Sequence, residues 1–494
     1  MKLSHRKRLK PGPVVSVAFA ALLAATPAAA QIPKAEYAAR RDSVAARIGN
    51  GVFLAFGQRE PVDDMAVFRQ LPEFAYLTGF NEPDAAFLMT ARNGRVADAM
   101  LFAPARDPRM QLYVGFLPDS ADVVKSLGLG LRTMEHLLPA LQQRISAGLM
   151  LHTVHDVASR DVLETDSLTR GRNFVNRLMA LHPRLTVKNA HALLDSLRVR
   201  KSPAEVALLR KAIDITMLGI DAAYQAIAPG KTEAYVQATA EYTWRANGAD
   251  GPSYGGIVGS GPNSTSYHYR AGHRAMQAGE VVVMDIGALY MGYAADVTRT
   301  APVSGKWTPE QRAIYEIVRA SQKAAEQVTR AGMRVQASDS AARVVEAAGL
   351  ARLGLIESAD ATFDPPWGTS CTRRPLTCKQ AFLWRAHGLG HGVGLEVHDP
   401  GGFSYSPTGR YEVGEVLTIE PGLYISKKLL DMLADTPKNR AFIARVRAAV
   451  ERYNNIGIRI EDDYLVTPGG LEWLSRGPRE ADEIEAAMKK RTSL

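Results

Sequence analysis

The sequence predicts an α+β protein in which a smaller α/β domain precedes a larger domain made of two similar halves. Three observations support this prediction. The chain has 494 residues, 46% apolar and 22% charged, which suits a globular protein of two or three domains. Before about residue 190, short apolar runs of strand length are mixed with helical patterns. Beyond that point, a pattern of two helices followed by strands occurs twice, which indicates two halves enclosing a shared sheet with a site between them.

The first thirty residues have the pattern of a secretory signal peptide. A basic segment, Lys2–Lys10, precedes an apolar stretch, Val14–Ala25, and the small residues Ala28 and Ala30 suit cleavage before Gln31. The apolar stretch is short for a membrane span, so stable membrane insertion is not expected, with an uncleaved anchor as the alternative. We expect an exported protein, periplasmic or secreted after cleavage near Ala30/Gln31.

The charge of the chain argues against nucleic-acid binding as its main role. The formal net charge is +9, but the first thirty residues contribute five basic side chains and no acid, which leaves +4 for the rest. An excess this small does not suggest a surface that binds polyanions.

The chain has two cysteines, Cys371 and Cys378, with six residues between them. In an oxidising compartment they could close a small loop as a disulfide, and two free thiols are the alternative. Neither has the surroundings of a nucleophile, and two cysteines cannot form a zinc ribbon.

The domain boundaries follow from where these patterns change. We predict a signal peptide at 1–30, an N-terminal domain at 31–197, a catalytic domain at 198–482 and a C-terminal tail at 483–494. In the N-terminal domain, helical spacing is found in MEHLLPALQQRI and FVNRLMALH. The predicted strands of that domain are GVFLAFG (51–57), DAAFLMTA (84–91), VADAMLFA (96–103) and LMLHTV (149–154).

The repeat in the second domain starts each time with the same helix signal. Ser202 and Glu205 form a capping box with proline between them, and Thr308 and Gln311 repeat this pattern. The predicted helices run from Ser202 to Pro229, over about 232–247, from Thr308 to Gly332, and over about 338–348. Two stretches look like insertions, at 363–382 and 426–455.

Four carboxylates and one histidine lie on or beside short apolar runs of this domain. Asp285 follows VVVM, Glu420 follows LTI, Glu461 follows IRI, and His391 lies in HGLGHGVGLEVHD. Asp296 follows a predicted hairpin turn at MGY, which can bring it close to Asp285. Because burying an unpaired charge is costly, something cationic must compensate these acids, and a pair of divalent metals is the simplest candidate.

Other catalytic motifs fit less well. His387 and His391 have the i, i+4 spacing of zinc proteases, but Gly388 stands where the catalytic glutamate belongs, and glycines break the helix that motif requires. The sequence has no P-loop, and HGLGHGVG lacks the spacing of a dinucleotide site. A single histidine is more often structural, yet His268, His387, His391 and His398 all lie near the carboxylates or within one short stretch.

At these residues the sequence resembles the pita-bread metallopeptidases, and most closely the Xaa-Pro aminopeptidase (aminopeptidase P) family. The resemblance implies a pita-bread (creatinase/aminopeptidase) catalytic domain behind a creatinase-type N-terminal domain. Methionine aminopeptidases share the metal ligands but usually lack the leading domain, and creatinase lacks the full ligand set. The matching segments are FRQLPEFAYLTGFNEPDAAFLM (68–89), PSYGGIVGSGPNSTSYHY (252–269), MDIGALYMGYAADVTRT (284–300), HGLGHGVGLEVHD (387–399), LTIEPGLYI (417–425) and GIRIEDD (457–463).

The resemblance also implies a ligand set for two divalent metal ions, with Mn²⁺ as the expected metal. Asp296 and Glu461 would bridge the ions, Asp285 would complete one of them, and His391 with Glu420 would complete the other. The family's remaining catalytic positions match His268, His387 and His398, which contact substrate or transition state, and Arg459, which supports a ligand.

The implied mechanism is hydrolysis by a hydroxide that bridges the two metals. Glu420 would transfer a proton from the attacking water towards the leaving nitrogen, and His398 would donate to the oxyanion. His268 and His387 would hold the substrate.

The expected function is removal of the N-terminal residue from Xaa-Pro peptides, so the expected partners are proline-containing peptides. A homo-oligomer, dimer or tetramer, is also expected from the resemblance. One alternative is a prolidase-like Xaa-Pro dipeptidase on the same fold. The other is a peptide-binding relative without catalysis, which the complete ligand set disfavours.

Overall fold

The structure is a computed structural model that describes residues 31–489, except 63–65, 106–107, 117, 155–168, 369 and 404. The predicted signal peptide therefore lies outside the described residues. Among the helices within them, none combines the length and apolar character needed to cross a bilayer.

The N-terminal domain is built on one mixed sheet of six strands, in the order β4-β3-β2-β1-β5-β6. Neighbours β1, β2 and β3 pair antiparallel, and the outer strands add in parallel. The strands are β1 (Gly51–Phe56), β2 (Ala86–Arg92), β3 (Arg95–Ala103), β4 (Gly130–Thr133), β5 (Leu151–Thr153) and β6 (Val187–Asn189). The helices are α1 (Lys34–Ile48), α2 (Pro72–Thr78), α3 (Pro108–Val114), α4 (Ser120–Leu127), α5 (Leu137–Ser146), α6 (Arg170–Leu181) and α7 (His191–Arg198).

The four strands predicted for this domain are present as β1, β2, β3 and β5, and the two predicted helices as α5 and α6. The prediction missed the edge strands β4 and β6. Both are short, and their sequences, GLRT and VKN, contain polar side chains, as is usual at an exposed sheet edge. Their sequences therefore carry almost no periodic signal.

The second domain has the predicted repeat of two helices followed by strands. Its helices are α8 (Pro203–Ala226), α9 (Glu233–Ala246), α10 (Pro309–Val328), α11 (Val335–Arg352), α12 (Lys427–Asp431), α13 (Pro437–Arg452) and α14 (Ala481–Lys489). Its strands are β7 (Gly251–Pro252), β8 (Ile257–Ser260), β9 (Val281–Ile286), β10 (Ala288–Tyr290), β11 (Tyr293–Ala294), β12 (Val297–Pro302), β13 (Val416–Ile419), β14 (Gly422–Ile425), β15 (Ile456–Arg459), β16 (Asp462–Thr467) and β17 (Gly470–Trp473).

Both predicted capping boxes are formed. The Ser202 hydroxyl accepts from the Glu205 N–H while the Glu205 carboxylate accepts from the Ser202 N–H, and Thr308 with Gln311 does the same at α10. Each such cap contributes about 1 kcal/mol to helix stability. The two long helices thus begin at equivalent points of the two halves, and each packs against the helix that follows it.

The strands of the two halves meet around one core. The first half contributes the sheet β12-β9-β8, and the second contributes β13-β16-β17 and the pair β14-β15. Buried side chains from the long helices and these strands, among them Tyr224, Tyr315 and Ile458, fill the space between the layers. This core fixes the positions of the strand ends that carry the acidic residues.

The two predicted insertions pack against each other. Cys371 and Cys378 form a disulfide within the first, which answers the question that the sequence left open. Asp364 of the first insertion accepts a hydrogen bond from the Thr436 hydroxyl (2.6 Å) at the start of α13 in the second. The buried rings of Phe363 and Phe442 lie 6.2 Å apart, so both insertions share the core of the catalytic domain.

The predicted C-terminal tail begins inside helix α14. Ile484 and Met488 of this helix are buried in the core of the catalytic domain. Residues 481–489 therefore pack as part of that domain, and residues 490–494 lie outside the described part of the chain.

Candidate metal centre

The first half positions two aspartates through the predicted hairpin. Met291 and Gly292 take positive φ angles of 49° and 79° at its turn, where glycine is free of strain. In the antiparallel pairing of β9 with β12, Asp285 lies opposite Thr298, and Asp296 directly precedes β12. The two aspartates are only 5% and 4% exposed, so the hairpin places two carboxylates inside the protein.

The second half positions two glutamates at a corner where its strands change partners. Glu420 lies between β13 and β14, and Glu461 lies between β15 and β16. Since β13 pairs with β16 and β14 with β15, both glutamates fall at the same break in the sheet. The Glu461 N–H donates to the Thr298 carbonyl oxygen (3.1 Å), which joins this corner to the aspartate hairpin.

His391 is brought to the carboxylates by a glycine-rich segment that lies against β13. The His391 N–H donates to the Thr418 hydroxyl (3.1 Å), and the Thr418 N–H donates to the His391 carbonyl oxygen (2.8 Å). A Cβ atom at Gly390 would collide with the Thr418 carbonyl, so this close approach requires glycine. The glycine-rich segment HGLGHGVG thus allows close packing of the chain against β13. Its glycines do not indicate a dinucleotide site.

One ring nitrogen of His391 faces three of the four carboxylates. His391 Nδ1 donates to the Gly392 carbonyl oxygen (3.0 Å), which leaves Nε2 as the free ligand atom. Nε2 lies 3.5 Å from Asp296 Oδ2, 3.7 Å from Glu420 Oε1 and 3.9 Å from Glu461 Oε1. Donor atoms of Asp296, His391 and Glu461 all lie within 4.8 Å of one another, a spacing at which one metal ion can contact all three.

Tyr254 and Arg459 connect Asp285 to this group. The Tyr254 hydroxyl contacts an oxygen of Asp285 and lies 2.6 Å from Asp296 Oδ1. Arg459 Nη1 donates to Asp285 Oδ2, and its Nε donates to the Tyr424 hydroxyl (2.7 Å). Arg459 is therefore the cation that offsets one of the four buried acids.

His387 is held as a neutral imidazole beside Glu420. Burial and then the charges of Arg459 and Arg385 lower its pKa well below the usual range. Its Nδ1 donates to the Gly388 carbonyl oxygen (2.7 Å), and its Nε2 accepts from the Tyr424 hydroxyl (3.0 Å). The chain of contacts from Arg459 through Tyr424 fixes both the orientation and the tautomer of His387.

The electrostatics of the metal-free site show a surplus of acid. Burial raises the pKa of Asp285 to about 7, and burial with the charge of Asp296 raises the pKa of Glu461 well above its usual range. Burial alone would lower the pKa of His391, but the hydrogen bond to Asp296 and the charge of Glu420 raise it to about 9. Protons are therefore retained where a cation would otherwise neutralise the site.

The residues present fit a divalent metal. Glu461 Oε2 accepts from the Thr298 hydroxyl (2.6 Å), but Oε1 is buried and has no hydrogen-bond partner among the described residues. That oxygen faces His391 Nε2. A buried carboxylate oxygen without a partner is costly unless a ligand satisfies it. Carboxylate oxygens with one imidazole are a donor set for Mn²⁺, Mg²⁺, Co²⁺ or Zn²⁺.

Every site residue selected from the sequence lines one cavity of about 1130 Å³. The remaining histidines occupy different positions in it: the ring of His398 lies 4.3 Å from that of His391, whereas His268 is exposed to solvent. The N-terminal domain supplies part of the wall, including Phe68 and Arg69. On the metal-centre side, the cavity is lined by Asp285, Asp296, His387, His391, Glu420, Arg459 and Glu461.

Sequence reasoning missed three side chains that support the site. Thr298 hydrogen-bonds to Glu461, Tyr254 contacts both aspartates, and Tyr424 links Arg459 to His387. All three lie within the matching segments, in PSYGGIVGSGPNSTSYHY, MDIGALYMGYAADVTRT and LTIEPGLYI. A polar side chain within a ligand-bearing motif is the signal that could have identified them.

A second group of acids and histidine, Glu73, His191 and Asp195, lies near the domain boundary. Here Arg198 Nη1 donates to Glu73 Oε1 (2.8 Å), and the Tyr405 hydroxyl donates to Asp195 Oδ2 (2.6 Å). Arg198 also pairs with Glu396 and Asp399 of the second domain, so this group is part of an ion-pair network that joins the two domains.

Comparison with known proteins agrees with this division of the chain. The model of the aminopeptidase P N-terminal domain matches residues 37–148, and the model of metallopeptidase family M24 matches residues 207–468. The Xaa-Pro aminopeptidase of Haemophilus influenzae is 32% identical to this chain, with 93% of this chain and 98% of the relative covered. The Xaa-Pro aminopeptidase of Escherichia coli is 30% identical, with the same coverage of 93% and 98%.

Known structures show the same two-domain architecture and confirm the predicted fold. The structure of a putative aminopeptidase P from Bacillus anthracis superposes with a TM-score of 0.77 at 25% identity, covering 94% of this chain and all of the other. A zinc-substituted E. coli aminopeptidase P in complex with product gives a TM-score of 0.75 at 28% identity, with coverage of 94% and 100%.

We predict that chelation destabilises the protein more at about pH 8 than at about pH 6. In the metal-free chain, Asp285 and Glu461 keep protons that an unfolded chain has already released, so folding stability falls as the pH rises from about 4. His391 changes the folding stability in the same direction. Its stabilising contribution is complete below about pH 6.5 and is lost as the pH rises through about 9. The pKa of Asp296 is lowered, so its titration lies below this window.

Bound metal displaces these protons, so the metal-loaded protein does not lose this folding stability as the pH rises. Calorimetry of manganese-loaded and EDTA-treated protein should therefore give a difference in Tm that increases between the two pH values. A difference that stays constant or shrinks would show that these groups do not bind the metal.

Proposed function

Because this chain belongs to metallopeptidase family M24 and is a metallo-aminopeptidase of the Xaa-Pro aminopeptidase type, we propose that it cleaves N-terminal Xaa-Pro bonds with the help of two divalent metal ions. We further propose that these ions are Mn²⁺ in vivo and that the protein works after export. One observation carries the two-metal proposal. Three carboxylates, those of Asp296, Glu420 and Glu461, face His391, and Asp285 lies beside Asp296; within the described part of the chain, Asp285 alone of these four pairs with an arginine, Arg459.

We assign the ligands from this arrangement. Asp296 and Glu461 both face His391 Nε2 and would be ligands shared by the two ions. Asp285, beside Asp296 on the hairpin, would add its carboxylate to one ion, and His391 with Glu420 would hold the other. When bound, divalent metals lower the pKa of water, polarise the scissile carbonyl and orient both reactants.

Glu420 is the residue best placed to move a proton. Burial raises its pKa above the usual range, which makes this carboxylate a better proton acceptor than an exposed one. It lies 3.7 Å from His391 Nε2 and 3.9 Å from His387 Nδ1, on the side that opens to the cavity. It therefore takes the proton of the attacking water and passes it to the leaving nitrogen.

The remaining histidines orient the substrate and stabilise charge. His398 packs on His391 and donates to the oxyanion that develops on the scissile carbonyl. His387, held by Tyr424, and His268, at the open side of the cavity, bind the peptide backbone. A proline nitrogen offers no N–H to an enzyme, so its ring must be recognised by the shape of the cavity.

Export is proposed on two grounds. The first thirty residues have the pattern of a signal peptide, and the Cys371–Cys378 disulfide is a bond that persists in oxidising compartments. We also propose a homo-oligomer, a dimer or a tetramer, because Leu112, Tyr113 and Phe116 present exposed apolar side chains on one segment of the N-terminal domain. Sedimentation velocity measures this directly, and a monomer at micromolar concentration would contradict it.

We predict metal-dependent release of the first residue from Arg-Pro-Pro-type tripeptides. Manganese should restore activity after chelation, and Xaa-Pro dipeptides should be poor substrates, measured by chromatography of the released amino acid. Cleavage of dipeptides alone would establish a prolidase-like dipeptidase. No turnover of either peptide by metal-loaded protein would indicate a peptide-binding relative.

The Asp296→Asn variant tests the site assignment within the same assay. It keeps the size of the side chain but removes the charge of a bridging ligand, so kcat/KM should fall by about 10³-fold or more, a loss equivalent to several kcal/mol. Its thermal unfolding in the presence of chelator should remain cooperative. Wild-type turnover by this variant would contradict the assignment.

Expression of the full chain in a Gram-negative host tests export. Mass spectrometry should find a mature N-terminus at Gln31 in the periplasmic or extracellular fraction, because the small residues at Ala28 and Ala30 suit the signal peptidase. An intact Met1 N-terminus in the cytoplasmic fraction would overturn the proposal.

A further inference from the structure

We propose that Arg270 forms a carboxylate subsite that binds the free C-terminus of Xaa-Pro-Yaa tripeptides. The proposal rests on the function proposed above and specifies its substrate class. It makes short peptides with a free α-carboxylate the preferred substrates of this enzyme.

Backbone pairing places Arg270 in line with a proposed metal ligand. Ile257 in β8 pairs with Asp285 in β9 and, on its other side, forms an isolated antiparallel bridge with Arg270. Residues directly opposite one another on paired strands point to the same face. Arg270 and Asp285 therefore share a face across Ile257, and both line the cavity. At about 4.8 Å between strands, their backbones lie about 10 Å apart.

The segment that leads to Arg270 is fixed beside the proposed metal centre. The Tyr267 carbonyl oxygen accepts from Arg459 Nη2 (3.1 Å), and its hydroxyl accepts from the Ala386 N–H (3.1 Å). The Tyr267 ring packs on Tyr424 at 4.6 Å between centroids. Three residues later, the bridge to Ile257 anchors the backbone of Arg270 at the open side of the cavity.

The charge of Arg270 is available to a ligand. Among the other arginines that line the cavity, Arg69 donates to the Pro252 and Ser253 carbonyl oxygens, and Arg459 donates to Asp285. The Arg270 side chain is exposed, and its guanidinium has no hydrogen bond or ion pair to any residue that the structure describes. The cavity thus carries a positive charge at Arg270, which complements the C-terminal carboxylate of a short peptide whose N-terminal residue lies at the metal centre.

The distance between Asp285 and Arg270 suits a tripeptide better than a dipeptide. Two residues follow the scissile carbonyl of a tripeptide, so its C-terminal carboxylate lies up to about 7 Å away. That distance falls within the span between Asp285 and Arg270 and within reach of a long arginine side chain. A dipeptide carboxylate lies only about 3.5 Å from the scissile carbonyl and stays among the metal ligands. Guanidinium groups bind carboxylates through paired, charge-assisted hydrogen bonds.

The test compares Arg-Pro-Pro with its C-terminal amide on manganese-loaded protein. Wild-type kcat/KM should favour the free acid by about 10-fold or more, mainly through KM, as expected for loss of a charge-assisted hydrogen bond. Arg270→Gln should raise KM for the acid and bring the ratio of acid to amide close to one. Arg270→Lys, which keeps the charge but not the paired geometry, should retain part of the preference.

Arg447→Gln, on the exposed face of α13 and away from the cavity, is the matched control for loss of one positive charge and should keep the wild-type ratio. Equal use of acid and amide by wild type, or an unchanged ratio in Arg270→Gln protein that unfolds at the wild-type Tm, would overturn the subsite. Hydrolysis of neither peptide by the wild type would instead overturn the proposed function, and the subsite with it.

Discussion

The clustering of four carboxylates, three of them buried and Glu420 partly buried, beside one imidazole is the constraint on which the rest of this structure depends. Asp285, Asp296 and Glu461 are each 5% exposed or less, and a buried charge is tolerated only if a partner compensates it. Arg459 compensates one carboxylate, and His391 can do so for another only when it is protonated. Divalent cations bound there would satisfy the remaining oxygens and would account for a cluster that is otherwise costly to keep in the core.

The fold supplies this cluster by bringing four strand ends together. In the first half, a hairpin turn aligns the two aspartates, and in the second half, a change of strand partners places Glu420 beside Glu461. The hydrogen bond from the Glu461 N–H to the Thr298 carbonyl joins the halves where the ligands meet. Side chains outside the ligand set, such as Tyr254 and Tyr424, then fix the orientation of the acids and of His387. The N-terminal domain supplies part of the cavity wall, so the cavity is lined by residues that lie far from the proposed ligands in sequence.

Much of this arrangement can be predicted from the sequence because it depends on local sequence signals. The capping boxes at Ser202 and Thr308 mark both halves, and an aspartate after VVVM stands out against a buried strand. The short edge strands β4 and β6 escaped prediction because their exposed polar residues follow no period. The contact of Tyr254 with both aspartates and the bridge from Ile257 to Arg270 escaped it for another reason. The first depends on the pairing of β8 with β9, and the second forms on the opposite edge of β8. Single-sequence patterns do not specify the register between such distant segments.

A crystal structure of the manganese-loaded protein, with an anomalous difference map recorded at the manganese absorption edge, tests the central claim most directly. The account predicts two peaks at a separation of about 3.5–4 Å, with Asp296 and Glu461 contacting both and His391 contacting one. A single peak, or peaks away from these side chains, would contradict the claim that the buried carboxylates form a two-metal centre.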